Sequence, residues 1–394
     1  MINSLFPLLH LKDQNLLPIV QGGMGVGVSA HRLAGSVARQ NAVGTIASVD
    51  LRRLHPDLME QTAHSQHRND EAHKETINAA NLVALDREVR AAKEISEGSG
   101  AIAVNVMRAV TAYAAYVRQA CASGADAIVM GAGLPLDLPD LTADYPKVAL
   151  IPILSDVRGI SLVLKKWLRK GRLPDAIVIE HPRYAGGHLG AAKTEDLGEE
   201  RFNFDKVLPG ALETFKELGI EDKQIPLIPA GGINSHEQVA RLFELGASAV
   251  QVGTPFAVTE EGDAHPNFKK VLSEARPEDI VTFMSVAGLP ARAVRTPWLA
   301  NYLQRVEKLC AAAAEKKHKC TLAWDCLVSC GLRDSLPKAG QFCIDSQLAA
   351  ALRGDLEKGL FFRGSESLPF GNIIRPVQDL IDYLLNGKMT QPAV

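Results

Sequence analysis

The chain is poor in several features that would restrict its class. Only 5% of its 394 residues are aromatic, six are cysteine, and 43 basic side chains nearly balance 45 acidic ones for a net charge of -2. Six cysteines are too few for a disulfide scaffold in a chain this long, and a reducing compartment keeps them as thiols or ligands. Without a basic field there is little to draw nucleic acid or an anionic membrane, which leaves a small-molecule partner. No apolar run reaches the roughly 18 residues of a spanning helix, and Met1 to Pro7 lacks the basic start and apolar stretch of a signal peptide. These absences place the expected location in the cytoplasm, away from membranes.

What is present is a repeated alternation of short apolar runs with amphipathic stretches. Eight candidate strands lie near Leu17 to Val20, Val43 to Ile46, Ile102 to Val106, Ala127 to Met130, Ala149 to Leu154, Ala176 to Ile179, Leu227 to Ala230 and Ala249 to Val252. Eight strands separated by helical segments predict a (β/α)8 TIM barrel over residues 1–300. Two regions depart from the repeat. Residues 51–100 form a polar helical insertion, whose His55, His64, His67 and His73 match no metal-ligand spacing and are expected on solvated helix faces. Residues 301–394 form a helical, cysteine-containing appendage on the barrel.

Glycine turns follow several of these strands. Gln21-Gly22-Gly23-Met24-Gly25 follows the first, Ala185-Gly186-Gly187-His188-Leu189-Gly190 the sixth, Ala230-Gly231-Gly232-Ile233 the seventh and Gly253-Thr254 the eighth. Such turns at strand ends let backbone approach a flat, phosphate-bearing cofactor, and one of them aims an imidazole at it. Asn105 interrupts an apolar strand, either as a hydrogen-bonded piece of the barrel interior or as a ligand contact.

Taken together, Pro18 to Met24, Val104 to Met107, Ala185 to Gly190, Ala230 to Ile233 and Gly246 to Thr254 resemble the FMN-dependent nitronate monooxygenases, formerly called 2-nitropropane dioxygenases. The resemblance runs in order over about Pro18 to Arg295, and the same family contains flavin-dependent enoyl-acyl-carrier-protein reductases. It implies an FMN cofactor, with Gly22, Gly23, Met24, Gly25 and Asn105 against the ring. Gly187, Gly231, Gly232, Gly253 and Thr254 would surround the ribityl phosphate, and Gln251 would bond the ring or ribityl chain. It also implies that His188 abstracts a proton from the carbon bearing a nitro group. The expected activity is oxidation of alkyl nitronates or nitroalkanes by dioxygen to a carbonyl compound and nitrite. The alternatives are an NAD(P)H-dependent reductase of enoyl thioesters or quinones, and a non-catalytic scaffold or metal-binding member. A homo-oligomer is compatible with all three.

The segment Glu180-His181-Pro182-Arg183-Tyr184 carries an extra residue relative to the family pattern, and His181 and Tyr184 are candidate pocket residues. Ser285 serves the cofactor, the pocket or a turn, and Arg292 and Arg295 are expected to pair with carboxylates of the tail. The basic run Lys165 to Arg172 is a solvated helix end, with a carrier-protein dock as the alternative. Cys320, Cys326, Cys330 and Cys343 have the thiols to hold zinc or an iron–sulfur cluster but no C-x-x-C pair, so they are taken as thiols and no metal ligands are assigned.

Overall fold

A computed structural model describes residues 2–63, 71–315, 320 and 324–388. Its centre is a closed parallel barrel of eight strands: β1 (Ile19–Gln21), β2 (Val43–Ala47), β3 (Ala101–Met107), β4 (Ala127–Gly131), β5 (Ala149–Leu154), β6 (Ile177–Glu180), β7 (Leu227–Ala230) and β8 (Val250–Val252). Each pairs with the next in chain order, and β8 closes on β1 with Val250 beside Ile19. All eight strands coincide with expected apolar runs.

The strands read as near-continuous apolar sequence because both faces are covered. Inward-facing Val20, Val43, Ala103, Val129, Ile151, Val178 and Ile228 pack on one another, and Leu9, Leu11 and Leu16 of an N-terminal hairpin, Leu9–Leu11 with Gln14–Leu16, join them. Outward-facing Ile19, Ile46, Val104, Ile128, Leu150 and Ile177 meet the helices.

The segment between β2 and β3 is not an addition to the repeat. Its helix Glu71–Ser96 packs on helix His31–Arg39 and β3 and is itself the crossover between β2 and β3. The two of its histidines among the described residues are not solvated either. His73 is 4% exposed, and His55 Nε2 lies 3.0 Å from Glu88 Oε1, while His64 and His67 lie outside the described residues. Glu88, buried on the inward face of the long helix, draws His55 and also His31 inward.

The tail also departs from expectation. Its last helix, Val377–Asn386, packs against helices His236–Glu244 and His31–Arg39, and so fills the eighth place in the barrel's outer ring. Between β8 and that helix, described segments that include Phe362, Gly364 and Glu366 reach the C-terminal ends of the strands. There Ile280–Met284 and Pro290–Val294 form an antiparallel sheet with Gly187–His188. Among the described residues no helix is long and apolar enough to cross a membrane.

Candidate active site

The carboxyl ends of the strands open into a cavity of about 650 Å3. Gly22, Gly23, Met24 and Gly25 line it from the turn after β1, Asn105 from β3, Gly187 and His188 from the loop after β6, Gly231 and Gly232 after β7, and Gln251, Gly253 and Thr254 from β8 and its turn. These twelve residues therefore face one space.

The glycines permit close approach. A Cβ on Gly23 would stand 2.4 Å from Asn105 Cβ, so only hydrogen fits between the first turn and β3. Gly231 and Gly232 take φ of +97° and +78°, a region that L side chains rarely occupy. A Cβ on Gly186 would lie 2.5 Å from the Arg363 carbonyl carbon, so the tail presses directly on the loop that carries His188.

Polar groups in the cavity await partners. The buried Nε2 of His188 has no hydrogen-bond partner, and burial lowers the imidazole from 6.5 to about 4, so it is neutral at pH 7. Phe362 meets its ring edge-on with centroids 5.7 Å apart. Among the described residues neither the Asn105 nor the Gln251 carboxamide has a hydrogen-bond partner in the protein. Orphaned polar groups on an otherwise close-packed wall are the mark of a ligand site.

Sequence reasoning pointed to the Glu180 to Tyr184 loop without singling out Glu180, and it missed the lining residues of the tail. Glu180, at the end of β6, is raised from 4.5 to about 7 by burial, although Arg292 opposes the shift. A charged residue ending a barrel strand was the available signal. Phe362, Gly364 and Glu366 come from the tail, and the Gly364 amide donates to Thr254 Oγ1 at 3.0 Å. Nothing in their local sequence ties them to the barrel mouth.

The remaining candidates sort differently. Tyr184 lines the cavity, whereas His181 is 2% exposed, lines a neighbouring chamber and lies 3.3 Å from Asn203. Ser285 is fully buried in a turn, where its hydroxyl accepts from the Ala287 amide. Arg292 donates to the Pro182 and Ala185 carbonyls rather than pairing directly with a tail carboxylate, because the loop before His188 leaves those oxygens facing it. In the basic run Lys165 and Lys166 are exposed, while Lys170 and Arg172 pair with Asp140 and Asp175.

Comparison with known proteins shows the family to which a chain with this barrel and cavity belongs. The family model described as nitronate monooxygenase matches residues 10–387. The chain belongs to the nitronate monooxygenase family. A Bacillus subtilis (strain 168) protein named "Probable nitronate monooxygenase" is 27% identical over 288 residues, covering 72% of this chain and 77% of that one. Two solved structures share the fold. FabK from Thermotoga maritima superposes with a TM-score of 0.64 at 22% identity, covering 93% and 91% of the two chains. The nitroalkane oxidase from Streptomyces ansochromogenes gives 0.61 at 18%, covering 95% of each. Membership makes the chain a flavin-dependent oxidoreductase of the class that oxidises nitronates and nitroalkanes. The site fits that cofactor, since the Gly22 to Gly25 wall admits a flat ring and the two unpartnered carboxamides offer it hydrogen bonds.

Proposed function

We propose that the protein binds FMN and oxidises alkyl nitronates, and the nitroalkanes that give rise to them, with dioxygen to a carbonyl compound and nitrite. The observation that carries this reading is the buried, unpartnered Nε2 of His188 facing the glycine-walled cavity. Gly22, Gly23, Met24, Gly25 and Asn105 would hold the ring, Gln251 the ring or ribityl chain, and Gly187, Gly231, Gly232, Gly253 and Thr254 the phosphate. FMN bound there supplies the electron acceptor for the substrate and, once reduced, the electron donor to dioxygen.

The protein's own contribution to a neutral nitroalkane is proton removal. His188 is uncharged at pH 7, so its Nε2 lone pair is free to take the proton from the carbon bearing the nitro group. Burial penalises the imidazolium that results. The nitronate left beside it is an anion, and in a site shielded from water their attraction offsets much of that penalty. Arg292 fixes the base indirectly, since its bonds to the Pro182 and Ala185 carbonyls brace the loop leading to it. Phe362 and Leu189 cover the imidazole's surroundings and limit water. A nitronate supplied ready-made skips proton removal entirely.

The test is nitrite release by purified wild type and His188→Ala, each loaded with FMN, on 2-nitropropane and on its preformed nitronate. Loss on the nitroalkane with retention on the nitronate is the expected split. Equal turnover of 2-nitropropane by the variant would remove His188 from the reaction, and absence of nitrite from both substrates in wild type would reject the proposed chemistry.

A further inference from the structure

The strand ends put one carboxylate on the wall of the flavin cavity. Side chains alternate along β6: Ile177 and Ile179 meet the outer helices, Val178 packs in the barrel interior, and Glu180 therefore faces inward. Its level is set by pairing on both sides of β7, since Ala230 is the register partner of Glu180 on one side and of Gln251 on the other. Glu180 thus lines the cavity at the height of a carboxamide assigned to the flavin ring or ribityl chain.

No side chain among the described residues bonds to this carboxylate, and Arg292 is the cation whose charge bears on it. The Arg292 guanidinium is engaged elsewhere, donating to the Pro182 and Ala185 carbonyls. The other titratable side chains lining the cavity are Asp156, Tyr184, His188, Arg201 and Glu366. Arg201 pairs with Asp156 at 3.1 Å and with Glu199, Glu366 accepts from Ser365 Oγ at 3.1 Å, and His188 is uncharged at pH 7. Arg363 of the tail spends its donors on the Leu272, Gly364 and Glu366 carbonyls. Burial without a fixed counter-ion holds the Glu180 carboxyl near 7, so it binds and releases a proton around neutrality.

A group placed this way in a redox cavity responds to a change of charge beside it. Two electrons and one proton entering a flavin ring leave it one negative charge, and in a site shielded from water an anion raises the proton affinity of a neighbouring carboxylate. We infer that Glu180 is the proton partner of the bound flavin: its carboxylate takes one proton from solvent as two electrons enter the ring and returns it when they leave. The O–H bond formed on Glu180 offsets the charge left on the ring, so the cavity gains no net charge. The electrons come from the reducing substrate and the proton from water. The inference rests on the reading that a flavin occupies this cavity, and it is independent of which substrate reduces that flavin.

The experiment is a potentiometric titration of the FMN-loaded full chain against a reference dye, wild type beside Glu180→Gln, in steps between about pH 6 and 9 to bracket the carboxyl value of about 7. One proton bound per two electrons changes the equilibrium tenfold per pH unit, which is about 30 mV. Below about 7 the carboxyl already holds its proton, and the slopes of the two proteins should agree. Above it the wild-type potential should fall more steeply than that of Glu180→Gln by about 30 mV per pH unit, over about one unit or more. If Glu180→Gln does not hold FMN, proton uptake by wild type decides, followed with an indicator dye during reduction at about pH 8. A second proton per flavin is expected there, and a single one overturns the inference. Equal slopes throughout in loaded wild type and Glu180→Gln overturn it while leaving the nitronate reading untouched, whereas a wild-type chain that takes up no FMN overturns both.

Discussion

Gly23→Ala tests how closely the first glycine turn must approach the flavin. A methyl there would place its carbon 2.4 Å from Asn105 Cβ and 2.9 Å from Asn105 Cγ, whereas unstrained carbon atoms sit about 3.5–4.0 Å apart. The overlap exceeds an ångström and must be relieved. Asn105 lies in β3 between β2 and β4, paired in register on both sides, so it has little freedom to withdraw. The glycine turn is the softer element, and moving it pushes into the cavity. Overpacking of this kind costs about 1–3 kcal/mol, which at 1.4 kcal/mol per factor of ten corresponds to FMN binding weaker by roughly 5- to 140-fold. Fluorescence titration of flavin-free protein with FMN measures this directly. Gly198→Ala is the control, because a Cβ there meets nothing within 4 Å. If Gly23→Ala binds FMN within about twofold of wild type while Gly198→Ala does the same, the placement of the turn against the ring is refuted; the smallest loss expected from such overpacking is about fivefold.

Other expectations follow from the same geometry. His188→Ala should lower turnover of neutral 2-nitropropane by roughly 10²- to 10⁴-fold, the usual worth of a general base, with nitronate turnover little changed; a parallel loss on both substrates contradicts the role. Because burial lowers His188 to about 4, the acidic limb of kcat/KM on the nitroalkane should fall well below pH 6.5, and a limb at 6.5 would show that the imidazole is solvated. Glu180 is raised from 4.5 to about 7 by burial, so its contribution to stability is present below about 4.5 and is lost as pH rises through 7. The shift corresponds to about 3 kcal/mol, and urea unfolding of flavin-free protein at pH 5 and pH 8 should show a smaller pH dependence in Glu180→Gln than in wild type; equal dependence rejects the buried carboxyl. Deleting the helix Val377–Asn386 removes buried Val377, Leu380, Ile381, Leu384 and Leu385. At about 1.5–3 kcal/mol each, these approach the whole stability of an ordinary domain, so the truncated chain should fail to fold. A folded, flavin-binding truncation would show that the helix is dispensable to the barrel.

The barrel was legible because strands buried on both faces must be apolar throughout, and the runs around Val43, Ala127 and Ala149 stand out against polar, helix-forming neighbours. The glycine turns were legible for a related reason: close approach and positive φ leave few other residue choices, as at Gly23 and Gly231. The eighth helix was not, since residues 254–376 separate Val377 from β8 and local periodicity carries no information on where a distant helix docks. Glu180 looked like the polar end of a strand, and its altered acidity arises from what folds around it. His73 and His55 looked solvated because their segment is polar, yet Glu88 on the same long helix gives His55 a buried partner. Phe362 and Gly364 reach the cavity only through the path of the tail, which no motif encodes.

The central claim, that the flavin in this cavity takes its electrons from a nitronate, is tested most directly by mixing oxygen-free, FMN-loaded protein separately with propane-2-nitronate, NADH and NADPH while following flavin absorbance. Bleaching by the nitronate alone, with nitrite released when air is admitted, is the expected result. Bleaching by NADH or NADPH with none by the nitronate would contradict the account and make the protein a pyridine-nucleotide-dependent reductase.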